Sequence, residues 1–193
     1  MVRLTGNKIN CSVFISGRGT NLKSIFNYSK EKFSKIDLKL VISDRSNAKG
    51  IKFAKKNKLR IRIIDYKNKQ KAEKKILNIL RENKIDLICL AGFMRILSKN
   101  FINLYKNKII NIHPSLLPKY KGLNTHERVL QNKEKFSGCS VHFVTEKLDA
   151  GKIILQKKVR ILLSDNPKKL SKRILIEENK LYPRAIKRIL TKI

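Results

Sequence analysis

Short apolar runs recur at regular intervals along the chain, separated by longer polar stretches. Seven runs rich in branched aliphatic residues predict β-strands at 11–16, 38–43, 61–64, 87–91, 108–113, 139–144 and 152–159. The stretches between the first five have helical periodicity. In the third, one face is apolar and the other carries lysines and glutamates; the apolar positions are Ala72, Ile76, Ile79 and Leu80. A final helix is predicted from Pro167, since proline suits a first helical turn.

Strands that alternate with helices imply right-handed βαβ units and a mainly parallel sheet. The chain has 193 residues, and we find no internal repeat and no linker in it. We therefore predict a single α/β domain over residues 1–193, with helices on both faces of a twisted sheet. Residues 1–9 lack an apolar core and are predicted to form a frayed extension.

Three informative loops follow predicted strands: residues 17–21 after the first, 92–97 after the fourth and 111–122 after the fifth. Open α/β sheets bind their ligands beyond the carboxyl ends of the strands. We therefore expect these loops to converge on one cleft.

The charge of the chain is strongly unbalanced, with 46 basic and 14 acidic residues and a formal net charge of +32. Such a protein attracts polyanions, so nucleic acid is one possible partner. The lysines, however, are spread along the whole chain. Abundant Lys, Ile and Asn would also follow from a genome rich in A and T, and we favour that explanation. In either case, ligands that carry phosphate or glutamate are attracted.

The chain shows no sign of export or membrane insertion. No apolar stretch approaches the ~20 residues needed to cross a bilayer, and residues 1–10 lack the apolar core of a secretory signal. We therefore expect a cytoplasmic protein. Cys11, Cys89 and Cys139 have no metal-ligand spacing, and their odd number argues against a disulfide framework. We interpret them as buried, unreactive thiols and predict no metal site.

Asn111 and His113 stand at the end of the fifth predicted strand. Alternate residues of a strand face the same side, so the amide and the imidazole project together, and Pro114 ends the strand. Acyl transfer needs such a pair, a donor for the developing oxyanion and a group that titrates near neutral pH. From the spacing alone, a satisfied structural pair remains the alternative.

The loop SGRGTNL, residues 16–22, follows the first strand and opens the first helix. A helix N-terminus offers free N–H groups to a phosphate, and Thr20 or Asn21 can cap the helix or donate to the anion. A plain turn is the alternative. The loop lacks the GK[ST] of a P-loop, and a dinucleotide fingerprint would need glycine where Leu22 stands. Asp44 could still mimic a ribose-binding acid, which keeps a nicotinamide enzyme as a rival.

The segment NIHPSLLPKYKG, residues 111–122, closely resembles the signature of the formyl transferase family, whose members transfer or release the formyl group of 10-formyltetrahydrofolate. Further matching segments are LAGFMRILS (90–98), GLNTH (122–126), SVHFVTEKLDAGKIILQ (140–156) and the pair Tyr182-Pro183. The resemblance covers about residues 11–189. It implies a Rossmann-like formyltransferase fold, a formyl-folate co-substrate and no metal.

Several members of this family share one formyl-folate site. The loop SGRGTNL and the short chain favour the branch that formylates the amino group of phosphoribosylglycinamide in purine synthesis. Methionyl-tRNA formyltransferase usually carries a second, C-terminal domain, and formyltetrahydrofolate deformylase an added N-terminal domain, so both are alternatives. A basic nucleic-acid-binding protein is a weaker one. The expected partners are small-molecule substrates, with no membrane.

The resemblance also implies roles for individual residues. The catalytic set would be Asn111, His113 and Asp149. The residues expected to hold the ribonucleotide and its phosphate are Gly19, Thr20, Asn21 and Glu178. Those expected to contact the folate are Lys69, Met94, Arg95, Ile96, Leu97, Asn111 and Val144, with residues 144–149 closing over the pterin. Lys69 stands where relatives commonly carry an arginine. A lysine keeps the charge but lacks the planar two-pronged geometry of arginine.

The sequence context of two of the candidate site residues, and of His142 and His126, bears on these roles independently of the resemblance. Glu178 falls on the apolar face of the last helix, where a carboxylate is costly unless paired. Asp149 could merely cap a turn; as a catalytic residue it would hold His113 and raise its pKa through its negative charge. His142 borders the cleft or is a satisfied core histidine, and His126 is assigned a structural place near a helix start.

Overall fold

The computed structural model describes residues 8–191 and contains one seven-stranded sheet. Its strands are β1 Ile9–Ile15, β2 Ile36–Ser43, β3 Arg60–Ile63, β4 Leu87–Leu90, β5 Ile109–His113, β6 Phe136–Phe143 and β7 Ile153–Arg160. Its helices are α1 Thr20–Lys30, α2 Lys49–Lys56, α3 Lys69–Glu82, α4 Lys99–Leu104, α5 Thr125–Gln131 and α6 Pro167–Thr191. All seven predicted strands and the predicted final helix are confirmed.

The strands follow the order β3-β2-β1-β4-β5-β6-β7. Strands β1 to β5 pair in parallel, whereas β6 is antiparallel to β5 and β7 is antiparallel to β6. This confirms the predicted mostly parallel α/β sheet. The order reverses between β1 and β4, and such a switch point opens a crevice at the carboxyl ends of the strands.

Apolar side chains cover both faces of the sheet, as predicted. One cluster packs α1 and α6 against the sheet, with Leu22, Ile25 and Ile174 fully buried. The other packs α3 and α4 on the opposite face around Phe14 and Phe101. Burial on both faces explains why the parallel strands read as nearly continuous apolar runs.

Helix α6 is also tied to the middle of the sheet by a polar contact. The fully buried hydroxyl of Tyr182 lies 2.9 Å from the Leu90 carbonyl oxygen and 3.0 Å from that of Ile110. These carbonyls belong to β4 and β5, so one side chain holds α6 beneath the strands from which two of the loops depart.

Three further predictions concern the N-terminal extension, the cysteines and membrane insertion. The frayed extension predicted for residues 1–9 lies mostly outside the described residues, and Ile9 already belongs to β1. The three cysteines are free and buried, as expected, and the Sγ atoms of Cys11 and Cys89 are 3.6 Å apart. Between residues 8 and 191, no helix combines the length and apolar character needed to span a membrane.

Candidate active site

A cavity of about 700 Å³ lies beyond the carboxyl ends of β4 and β5. Its walls come from four segments, 92–97, 111–114, 122–127 and 144–149, together with Leu90, Ile102, His142 and Pro167. Two of the three loops predicted to converge therefore meet in this cavity. The third, residues 17–21, does not line it but lies beside it, because the backbone N–H of Ser16 donates to the Gly92 carbonyl at 3.1 Å.

Asn111 and His142 face each other across β5 and β6, where they are register partners. His142 Nδ1 lies 2.8 Å from the Phe143 carbonyl oxygen, which can only accept, so this nitrogen carries the proton. In the neutral ring Nε2 then accepts from the Asn111 amide nitrogen, 3.3 Å away. His142 thus fixes the Asn111 amide and uses one of its two N–H groups. The other N–H has no acceptor among residues 8–191 and is open to a ligand in the cavity.

His113 is buried and contacts two groups. Its Nε2 donates to the Tyr120 carbonyl oxygen at 2.8 Å, and its Nδ1 lies 3.3 Å from Asp149 Oδ2. Asp149 Oδ2 also accepts the Gly122 backbone N–H at 2.9 Å, and Oδ1 lies 3.5 Å from His142 Nε2. The structure thus brings together the three predicted catalytic residues. Both ring nitrogens of His113 thus have an oxygen partner, and the Nδ1 contact with Asp149 is the longer of the two.

Burial lowers the pKa of His113, and this outweighs the Tyr120 hydrogen bond and the charge of Asp149, which raise it. The predicted effect of Asp149 is confirmed in sign, since its charge raises the pKa of His113, but burial is the larger contribution and the net pKa is lowered. For Asp149, burial raises the pKa of the carboxyl, but contacts with His142, Gly122 and His113 together lower it. The imidazole is thus neutral near neutral pH and lies beside an ionised carboxylate.

The backbone around this pair is strained. Asp149 has φ 46° and Tyr120 has φ 56°, both in the left-handed region that non-glycine residues rarely adopt. Such strain persists only where surrounding contacts hold it, and it concentrates at functional sites. Gly151 cannot be replaced here, since a Cβ would lie 1.8 Å from the Phe143 carbonyl oxygen. This close approach holds the Asp149 turn against β6.

The loop 92–97 presents apolar side chains to the cavity, with Met94 and Ile96 more than half exposed. Its backbone is held from beneath, because the Met94 N–H donates to Ser16 Oγ at 2.8 Å and the Ser98 N–H donates to Glu73 Oε1 at 2.8 Å. An exposed apolar surface on a fixed loop can serve as a platform for a flat ring.

Asp44 does not act as the free ribose-binding acid that the sequence left open. Its side chain is fully buried, and Oδ2 accepts from Arg95 Nε at 2.6 Å. The Arg95 guanidinium also lies over the Tyr66 ring, 5.6 Å from its centroid. Asp44 thus anchors the loop 92–97, and the nicotinamide alternative loses its supporting residue.

The predicted phosphate loop forms the N-terminus of α1. Gly19 is the N-cap residue with φ 75°, and within the described part of the chain neither Thr20 nor Asn21 caps the helix. The loop packs so closely on α2 that a Cβ at Gly19 would lie 2.6 Å from Gly50 Cα. The first N–H groups of α1 thus remain available to an anion.

Asn21 reaches across to α6 instead. Its Nδ2 donates to Glu178 Oε2 at 2.9 Å, and its buried Oδ1 has no hydrogen-bond partner among residues 8–191. Burial raises the pKa of the Glu178 carboxyl, while Asn21 and the charge of Arg18 act to lower it. The Glu178 carboxylate is therefore paired with the Asn21 amide. Asn21 Oδ1, beside it, can accept a hydrogen bond from a ligand.

The structure places the remaining predicted residues as follows. Val144, Arg95 and Leu97 line the cavity, whereas Lys69 is exposed in the first turn of α3 and does not line it. His126 also lines the cavity, and its buried Nδ1 has no partner among the described residues. Within residues 8–191, no group of three or more His, Cys, Asp or Glu side chains could hold a metal ion.

Two functional groups could not be found from side-chain patterns, because they are backbone groups. They are the Tyr120 carbonyl, which orients His113, and the Gly122 N–H, which orients Asp149. Both lie inside the segment 111–122 that carried the family resemblance, and this was the only signal for them.

Comparisons with known proteins agree with this geometry. The formyl transferase family profile matches residues 9–186. The phosphoribosylglycinamide formyltransferase of Escherichia coli is 36% identical over 181 residues, which cover 92% of this chain and 85% of that protein. The crystal structure of phosphoribosylglycinamide formyltransferase from Brucella melitensis superposes with a TM-score of 0.91 at 37% identity, covering 95% of this chain and 96% of that one.

A longer relative is the trifunctional purine biosynthetic protein adenosine-3 of Gallus gallus, which is 40% identical over 187 residues. The match covers 95% of this chain and 19% of that protein, so the chain spans about a fifth of this relative. The profile match and the similarity to proteins of comparable length lead to one conclusion: the chain belongs to the formyl transferase family.

Proposed function

We propose that the protein transfers the formyl group of 10-formyltetrahydrofolate to the amino group of phosphoribosylglycinamide. The observation that carries this proposal is the set Asn111, His113 and Asp149 on the wall of the 700 Å³ cavity, next to an open helix N-terminus. The relatives of similar length described above are phosphoribosylglycinamide formyltransferases, which supports the choice of acceptor.

The cavity suits the formyl donor in size and character. Its volume lies within the range of sites for drug-sized ligands, which are mostly apolar with a few placed polar groups. The residues 94–97 form an apolar platform for the pterin, and the loop 144–149 covers the opposite side. Lys69, exposed at the start of α3, would act from outside the cavity, on the acidic part of the folate.

The acceptor would lie between α1 and the cavity. The N–H groups at the start of α1 would hold the phosphate, and Asn21 Oδ1 with the Glu178 carboxylate would accept hydrogen bonds from sugar hydroxyls. A ligand held at both points has its amino group directed towards Asn111 and His113.

In the proposed reaction the amine attacks the formyl carbon, and a new N–C bond forms as the carbonyl oxygen takes up negative charge. The free N–H of Asn111 donates to that oxygen. His113 is neutral at rest and takes the proton of the attacking amine at Nδ1, because the developing charge and Asp149 both raise the pKa of the ring. The bond between carbon and folate nitrogen then breaks, and the proton passes to that nitrogen.

A direct assay tests the function. Purified protein is mixed with 10-formyltetrahydrofolate, with and without phosphoribosylglycinamide, and the deformylated folate is followed by absorbance. We expect turnover only when the acceptor is present. Turnover without the acceptor would assign the protein to deformylation, and turnover only with a charged initiator tRNA would assign it to tRNA formylation; either result would overturn the proposal.

Replacing Glu178 by glutamine should stabilise the protein and weaken acceptor binding. Burial raises the pKa of this carboxyl in the folded protein, so stability falls as the pH rises from the unfolded pKa to the raised folded pKa, and the loss is complete above it. We expect the Tm of Glu178→Gln at pH 8 to exceed that of the wild type by about 2–4 °C, equivalent to about 1 kcal/mol, while KM for the ribonucleotide rises.

The gain should disappear below about pH 4, where the glutamate is protonated in both the folded and the unfolded state. Calorimetry at the two pH values checks this, with Glu82→Gln, an exposed carboxylate at the end of α3, as the control. A gain that is equal at both pH values would contradict the assigned cause.

A further inference from the structure

Gln156 lies outside the cavity, on the edge strand β7, but it stands in a row with the catalytic histidine. His113 pairs with Ser140 across β5 and β6, and Ser140 pairs with Gln156 across β6 and β7. Directly paired residues of antiparallel strands place their side chains on the same face. The row therefore links the edge of the sheet to the start of the loop 114–120.

The Gln156 amide uses both of its N–H groups within this row. Nε2 donates to the Leu117 carbonyl oxygen at 2.7 Å and to Ser140 Oγ at 2.8 Å. Ser140 is completely buried; its hydroxyl donates to the Ser115 carbonyl oxygen at 2.6 Å and accepts the Leu117 N–H at 3.1 Å. Both N–H groups of Gln156 and all three hydrogen-bonding positions of the Ser140 hydroxyl are thus filled by the loop or by the partner residue.

The same loop ends in the group that orients the imidazole. The Ser115 hydroxyl donates to the Lys119 carbonyl oxygen at 2.7 Å, and the next carbonyl, that of Tyr120, accepts from His113 Nε2 at 2.8 Å. Tyr120 has φ 56°, a conformation that a non-glycine residue keeps only if its neighbours hold it. The row of hydrogen bonds from Gln156 supplies this support.

We propose that Gln156 is a positioning residue for catalysis, which acts through Ser140 and the loop 114–120 to keep the Tyr120 carbonyl on His113 Nε2. This rests on the proposed function for its kinetic consequence, but the geometry of His113 can be measured on the protein alone. Neither the sequence pattern nor the cavity assigns Gln156 a role, because its side chain does not reach the cavity.

The variant Gln156→Met tests the proposal, since it keeps the length of the side chain, removes both N–H donors and adds no charge. We expect kcat to fall about 10- to 100-fold, because a small displacement of a catalytic group has effects of that size. KM for both substrates should change less than about threefold, since neither substrate contacts this residue. Lys157→Ala, an exposed neighbour on β7, is the control and should behave as the wild type.

A second readout separates positioning from loss of structure. The Tyr120 hydrogen bond raises the pKa of His113, so its loss should move the titration midpoint of the ring, followed by NMR, to lower pH. The other charged or titratable groups that act on or face this ring are Asp149, His142, Arg128 and His126, and none of them contacts Gln156. Their contributions should therefore stay constant in the variant.

Each outcome decides the proposal. A folded Gln156→Met protein with lower kcat and a His113 titration shifted to lower pH supports it. An unshifted titration, whether or not kcat falls, overturns it. Should the methionine variant not fold, Gln156→Leu, which also lacks the N–H groups and any charge, is measured in the same way. The NMR titration does not depend on turnover, so an inactive wild type would count against the proposed function alone.

Discussion

Replacing His113 by alanine is expected to lower kcat by about 10²–10⁴-fold, the usual contribution of a positioned acid–base group. Among residues 8–191, the ring is the only titratable side chain that contacts both the Tyr120 carbonyl and Asp149, and alanine removes both contacts. KM should change little, because His113 acts on charge that develops during the reaction. Steady-state kinetics with both substrates varied measures the two parameters separately.

The comparison for His113→Ala is His126→Ala. His126 lines the same cavity but has no bond to Asp149, so its removal should cost less than about tenfold in kcat. Circular dichroism and calorimetric titration with the folate product establish that both variants remain folded and keep the donor site. A folded His113→Ala enzyme with more than a tenth of the wild-type turnover would remove His113 from the mechanism.

Replacing Asp149 by asparagine is expected to have the second largest effect, again about 10²–10⁴-fold in kcat. Asparagine tolerates the left-handed backbone at this position and can still accept the Gly122 N–H through its amide oxygen. The substitution therefore removes the charge and leaves the turn in place. Without that charge, Nδ1 of His113 loses the partner that keeps it ready to take up a proton.

The direction of the pH effect follows from the contacts of His113. Burial lowers the pKa of the ring, and the negative charge of Asp149 raises it. In Asp149→Asn only the raising contribution from Asp149 is lost, so the His113 titration midpoint should move to lower pH, together with the corresponding inflection of the pH–rate profile. If kcat falls while the midpoint stays in place, Asp149 acts on something other than His113.

Much of the fold followed from local patterns. All seven strands were predicted because each apolar run is short, branched and bounded by polar residues, and burial on both faces preserves that pattern in a parallel sheet. Asn111 and His113 were predicted to act together because alternate residues of one strand face the same side. Asp149 was found through resemblance, since nothing in the local sequence distinguishes a catalytic aspartate from one that caps a turn.

What could not be predicted depends on pairing between distant segments. The register that sets Ser140 beside both His113 and Gln156 depends on the pairing of three strands. This pairing cannot be derived from a single sequence. Asp44 illustrates the same limit. Its position at the end of β2 suggested a ribose contact, but the loop after β4 brings Arg95 onto the carboxylate.

The parallel strands come first in the chain and the antiparallel strands later, so the parts of the site are synthesised in a fixed order. The loop 17–21 and the loop 92–97 belong to the parallel strands and precede residue 100, whereas Asp149 and Gln156 lie in the antiparallel hairpin of β6 and β7. Domains generally fold as units. A nascent chain that has not yet reached residue 149 therefore carries the segments of the anion-binding turn and the ring platform, but it lacks the carboxylate for His113 and the helix α6 that packs on the sheet. The acceptor site and the catalytic centre are thus both completed late in synthesis, because Glu178 follows Asp149 in the chain.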